Sequence, residues 1–137
     1  MGLRSRSLTP AVFARVMQKK GVRKKQEYRH LPAFILLVLT QGPAHGGAVH
    51  AALSKKLPAY NADTGAVYRT LLEMEQNGEI EFTWDTSSSG PARKIYQLTP
   101  AGWEKLAYWK KDIEGRLEYL NIFLKSYKKI KNPGKKS

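Results

Sequence analysis

A chain of 137 residues, 42% hydrophobic and 26% charged, suits a single domain with one core and needs no covalent staple. The absence of cysteine removes disulfides, thiolate metal sites and cysteine nucleophiles, and fits a reducing cytosol. The net charge of +13 sits at the ends: residues 1–30 hold nine Lys/Arg and one acid, residues 125–137 six Lys and no acid, and the 94 residues between them nine basic and ten acidic side chains. Such blocks are either solvated tails or arms for a polyanion.

Thr9-Pro10 opens a short helix whose stripe is Val12, Phe13, Val16 and Met17, and Gly21 ends it before a basic connector to His30. Pro32 starts a second helix, AFILLVLT, apolar nearly all round and therefore buried, which closes at Gly42-Pro43. That run is too short to cross a bilayer. The basic N-terminus is not followed by the apolar stretch and cleavage site of a secretory signal. A third helix spans about 45–56, with Val49, Ala52 and Leu53 inward, and Pro58 and Tyr60-Asn61 turn the chain into a fourth. Asp63 caps that helix, TGAVYRTLLEMEQ, whose inner face is Val67, Leu71 and Met74 and which stops at Asn77-Gly78.

Ile80, Phe82 and Trp84 alternate with Glu81, Thr83 and Asp85, so one face of this strand is expected to be buried. Ser87 to Pro91 form a turn, and Arg93 to Leu98 return as the partner strand with Tyr96 and Leu98 on the same buried face. Thr99-Pro100 then starts one long helix to about Ile130. Its Trp103, Leu106, Lys110, Ile113, Leu117, Leu120, Leu124 and Tyr127 repeat at three- and four-residue spacing, a coiled-coil seam interrupted by one Lys. The alternative is a helix folded back on its own core.

Helix, short turn, helix, two-stranded ribbon and long helix give a mainly α fold with a small β-ribbon (α+β), in the order of a winged helix-turn-helix. The expected organisation is a basic arm with a short helix over 1–30, the winged helix-turn-helix over 31–99, a C-terminal dimerisation helix over 100–130 and a basic tail over 131–137. In such a fold the second helix of the pair enters a DNA major groove and the ribbon tip rides on the backbone.

On the fourth helix, Thr64, Gly65 and Tyr68 are candidates for contact with phosphate or base edges, and Arg69 for bidentate contact. The bland readings are that Tyr68 is core and Arg69 a solvated charge. Arg93 and Lys94 beside the SSSGPA tip are the leading phosphate candidates, while Lys55 and Lys56 rank below them and are otherwise ordinary surface. Leu106, Ile113, Leu117, Leu120, Leu124 and Tyr127 form the candidate dimer interface. Trp103, Trp109, Tyr119 and Phe123 are either dimer core or the lining of a pocket for a flat ligand. His45 caps or packs at a helix start, and His30, His45 and His50 lack metal-ligand spacing. No nucleophile–base pair, phosphate-cradling loop or carboxylate pair is present, so neither catalysis nor a cofactor or metal is expected.

Three blocks, LLVLTQGPAHGG, TGAVYRTLLEMEQNGEIE and GPARKIYQLTPAGWEKL, resemble the PadR family of bacterial transcriptional regulators and cover residues 36–106. The single long helix after them looks like the shorter, single-helix subgroup. The resemblance implies a cytoplasmic, nucleoid-associated homodimer joined by the C-terminal helix with help from the N-terminal one. It implies binding of double-stranded DNA at a palindromic operator, most often in repression, and in some members release by phenolic acids or flat hydrophobic compounds. Two departures stand out: Gly47 follows His45-Gly46 where family members carry an aromatic residue, and Asp63 puts a carboxylate at the start of the expected reading helix. A winged-helix protein-interaction module and a sequence-tolerant nucleic-acid-binding protein remain alternatives, because the body between the basic ends is nearly neutral.

Overall fold

The computed structural model describes residues 28–58, 63–87 and 89–131. The helix expected over 9–20, the arm before it, the Tyr60-Asn61 turn and the tail beyond residue 131 lie outside them. The described elements are α1 (Leu31–Leu39), β1 (Ala44–His45), α2 (Gly46–Lys56), α3 (Thr64–Gln76), β2 (Ile80–Asp85), β3 (Arg93–Leu98) and α4 (Pro100–Lys128).

Three helix starts are set by side-chain caps. His45 Nδ1 accepts from the Ala48 N–H at 3.2 Å for α2, and Asp63 Oδ1 from the Ala66 N–H at 2.6 Å for α3. Thr99 Oγ1 accepts from the Gly102 N–H at 3.0 Å for α4 and donates to the Gly78 carbonyl at 2.6 Å. Each cap satisfies a backbone donor that the first helical turn leaves open. Gly78, at φ +79°, supplies the left-handed residue that turns the end of α3 into β2.

The sheet is antiparallel in the order β1-β3-β2, with Ala44 opposite Tyr96 and pairs running from Ile80–Leu98 to Asp85–Arg93. The expected two-stranded ribbon thus gains a third, two-residue strand, which fastens the start of α2 to the wing. α1 lies at the centre: Leu31, Ile35, Leu36 and Leu39 are buried with Val49 and Leu53 of α2, and with Val67, Leu71 and Met74 of α3. Ile80 and Tyr96 close this core from the sheet.

The alternation read for β2 fails at its far end. Ile80 is 2% exposed, Phe82 half-buried and Trp84 59% exposed, because the helices cover only the base of the ribbon. α4 rests on that base at Gly102, where a Cβ would fall on the Glu79 carbonyl oxygen and 2.9 Å from Leu98 Cδ2. Leu106 and Trp109 pack against the core one and two turns later, whereas every residue from Leu117 to Lys131 is exposed. Among the described residues no helix is long and apolar enough to cross a membrane.

Candidate nucleic-acid interface

α2 and α3 are the two helices of the helix-turn-helix. The outer face of α3 carries Thr64, Gly65, Tyr68, Arg69 and Leu72, all exposed. One oxygen of the exposed Asp63 carboxylate caps α3, and the other accepts from the Tyr28 hydroxyl at 3.5 Å. The Asp63 N–H in turn donates to Tyr28 Oη at 3.3 Å. The acid at the helix start is therefore consumed as the cap of α3.

Tyr68 is not core. Its ring lies across Gly46, where a Cβ would overlap the ring, and it remains 46% exposed. Glycine at 46 is what lets the start of α2 serve as the bed for this ring. Arg69 folds back over the first turn of α3, with Nη1 3.2 Å from where a Cβ of residue 65 would stand.

Arg93 and Lys94 point in different directions, as successive strand residues must. Arg93 is exposed, with Nη1 3.2 Å from His45 Nε2. Lys94 is half-buried; its Nζ pairs with Glu75 Oε1 of α3 at 3.2 Å and sits 4.1 Å over the Phe82 ring. Lys94 thus ties the wing to α3. At the wing turn, Asp85 Oδ1 accepts from the Ser87 N–H at 3.0 Å and its hydroxyl at 2.6 Å, which hold the carboxyl below its ordinary 3.8. Burial pushes the Tyr96 phenol above its ordinary 10.0, although Lys94 opposes this.

Between α3 and the wing opens a cleft of about 460 Å³, lined by His45, Gly46, Tyr68, Leu72, Trp84, Arg93, Lys94 and Tyr96. Lys55 and Lys56 are exposed in the last turn of α2 and form no ion pair among the described residues. Sequence reasoning missed Leu72, Trp84, Glu75 and the wing contact of His45. The spacing could have found Leu72, which stands one turn beyond Tyr68 on the outer face of α3. Trp84 and the His45 contact depend on pairing across the sheet, and Glu75 on how the ribbon packs against α3.

A second groove, also about 460 Å³, lies between α1 and α4 and is lined by Ala33, Phe34, Leu37, Trp103, Leu106, Ala107, Lys110 and Ile113. Of the four candidate pocket aromatics only Trp103 lines it. Trp109 packs on the core with its ring edge-on to His30 at 5.7 Å, and Tyr119 and Phe123 stand exposed on the far part of α4. Of the candidate interface residues, Leu106 and Ile113 are half-buried, while Leu117, Leu120, Leu124 and Tyr127 face solvent. Among the described residues no group of His, Asp and Glu could hold a metal ion.

The sequence matches the model of the transcriptional regulator PadR-like family over residues 35–108. Among solved structures it is similar to a PadR-like transcriptional regulator from Bacillus cereus, at 30% identity and a TM-score of 0.62, over 72% of this chain and 96% of that one. A PadR family transcription regulator from Clostridium difficile matches at 25% identity and a TM-score of 0.60, over 69% and 98% of the respective chains. The PadR protein of Bacillus subtilis, solved in complex with operator DNA, matches at 26% identity and a TM-score of 0.55, over 59% of this chain and 46% of that chain. No curated protein matches the sequence.

Proposed function

This chain belongs to the PadR-like family of transcriptional regulators, and from that premise we propose that it is a cytoplasmic homodimer that binds a palindromic operator in double-stranded DNA and represses transcription there. One observation carries the reading. α3 turns Thr64, Gly65, Tyr68, Arg69 and Leu72 to solvent on one face, beside a wing that carries an exposed Arg93.

In this reading α3 lies in the major groove. The Arg69 fork suits guanine or phosphate, the Tyr68 hydroxyl suits phosphate or base edges, and the exposed Leu72 suits a thymine methyl. Arg93 follows the backbone from the wing, with Lys55 and Lys56 at the margin, while Lys94 fixes the angle between wing and helix through Glu75. Dimerisation through α4 presents two reading helices to two half-sites related by the same twofold. The groove at Trp103 is apolar and large enough for a flat aromatic effector, whose entry would shift α4 against α1. The chain acts by occupancy, not by catalysis.

The test is enrichment of duplexes from a random library, then titration of the enriched duplex against random competitor. A preference of at least about a thousandfold, the lower end for specific regulators, supports the reading. Equal affinity for both duplexes would leave a sequence-tolerant binder instead.

A further inference from the structure

The cap on α2 fixes the tautomer of His45. Ala48 donates its N–H to Nδ1 at 3.2 Å, and a ring nitrogen that accepts carries no hydrogen, so the neutral ring bears its proton on Nε2. That same Nε2 lies 3.2 Å from Nη1 of Arg93, and a guanidinium can only donate. While the cap stands, the two groups cannot hydrogen-bond to each other. Moving the proton to Nδ1 would let Nε2 accept from Arg93 but would set two N–H groups against each other at the helix start, and a doubly protonated ring fails at both contacts. Two donors, one from the start of α2 and one from β3, therefore converge on one mouth of the cleft with no acceptor between them.

The neighbours do not supply that acceptor. The Asp85 carboxylate stands opposite Arg93 across the sheet, but its Oδ1 accepts from both the N–H and the hydroxyl of Ser87, and it forms no ion pair with Arg93 among the described residues. Glu75 is taken by Lys94. Tyr68, whose hydroxyl stands 2.9 Å from the Cβ site of Gly46, adds a third possible donor. Gly47 contributes room. A Cβ there would come within 3.1 Å of His45 Cε1, so its absence lets the ring stand over the start of α2 with Nε2 outward.

We propose that His45 and Arg93 together clamp one phosphate of the DNA backbone, His45 through its Nε2–H and Arg93 through its guanidinium. The proposal rests on the DNA-binding reading above and adds to it an Nε2–H donor that the helix cap orients. A phosphate so held sets the register of the protein on the duplex and carries no sequence information.

The experiment uses a duplex enriched by the full chain and compares His45→Asn, Arg93→Ala and the double variant. Asparagine keeps an acceptor for the Ala48 N–H, being a favoured cap, but is too short to reach the phosphate. His45→Asn should unfold within a few degrees of the parent yet bind enriched and random duplexes about 10- to 150-fold more weakly, the size of one hydrogen bond to a charged group. The double variant should lose less than the product of the single losses. In a scan replacing one phosphate at a time by a neutral methylphosphonate, a single position per half-site should weaken the parent, weaken each single variant less, and leave the double variant unchanged. Parent-like affinity of a folded His45→Asn variant, or sensitivity of the two variants to different phosphates, overturns the clamp while leaving the regulator intact. A parent that binds no duplex overturns both. Saturation of the His45 imidazole signals by inorganic phosphate alone at micromolar concentration would assign the site to free phosphate and overturn the backbone clamp.

Discussion

At the scale of single residues, Arg93 and Lys94 are neighbours of one charge with separable roles. Arg93 is exposed beside the cleft, so Arg93→Ala should weaken binding to all duplexes alike and lower the slope of log affinity against log salt by roughly one. Lys94 is already neutralised by Glu75, so Lys94→Ala should leave that slope unchanged while loosening the wing; equal slope changes in the two variants would reject the distinction. Arg69→Ala should instead erode the preference for the enriched duplex over random DNA, read from competition titrations. Asp85 adds a pH prediction. Its folded pKa is lowered, so the Ser87 contact stabilises above the ordinary carboxylate value of 3.8 and is lost as pH falls through the depressed folded value. The Ser87 amide signal should therefore titrate with a midpoint below 3.8, and a midpoint at or above that value would reject the contact. The caps at Asp63 and Thr99 were legible because a cap is a local bond, made within three residues of the chain. The Lys94–Glu75 pair was not, because it joins residues 19 apart whose approach depends on how the ribbon packs on α3.

Among elements, the helices were legible from their apolar period and their caps, and the ribbon from its alternation. The strand Ala44–His45 escaped because two residues have no period to display, and its pairing with Tyr96 and Ile95 is set by where α1 delivers the chain. Gly102 shows the same dependence on distant partners. In the sequence it is a poor helix former near the start of α4, and in the fold it is the point where α4 touches the sheet at Glu79 and Leu98. Gly102→Ala should therefore destabilise despite its better helix propensity, by about 1–3 kcal/mol as overpacking does, read from urea unfolding. Stabilisation would mean that α4 rides clear of the sheet. The pocket aromatics were grouped by type, whereas their positions on the helix separate them, with Trp103 in the groove and Trp109 on the core.

For the whole molecule the uncovered surface is the far half of α4. Leu117, Tyr119, Leu120, Ile122, Phe123, Leu124, Tyr127 and Ile130 are each about half exposed or more. This exposed apolar surface is the observation behind the proposed dimer. Replacing Leu117 and Leu120 with Glu would place unpaired charge in that seam, so light scattering should report a dimer for the parent and a monomer for the variant. A parent that scatters as a monomer at micromolar concentration would remove the proposed dimer.

The charge distribution poses the remaining question at this scale. The body is nearly neutral and the basic excess lies in the ends, with nine Lys/Arg in residues 1–30 and six in residues 125–137. Deleting residues 1–8 and 131–137 removes Arg4, Arg6, Lys131, Lys135 and Lys136 while sparing α3, the wing and α4. For every phosphate that the shortened ends no longer neutralise, the salt slope should fall by about 0.9. Enriched and random duplexes should weaken by similar factors, most at low salt where screening is least. The preferred sequence should not change, because Thr64, Tyr68, Arg69 and Leu72 are untouched. If the truncated protein stayed folded and dimeric yet lost its preference, the arms would be reading bases from the minor groove. Specificity would then have to be moved from the outer face of α3 to the ends of the chain.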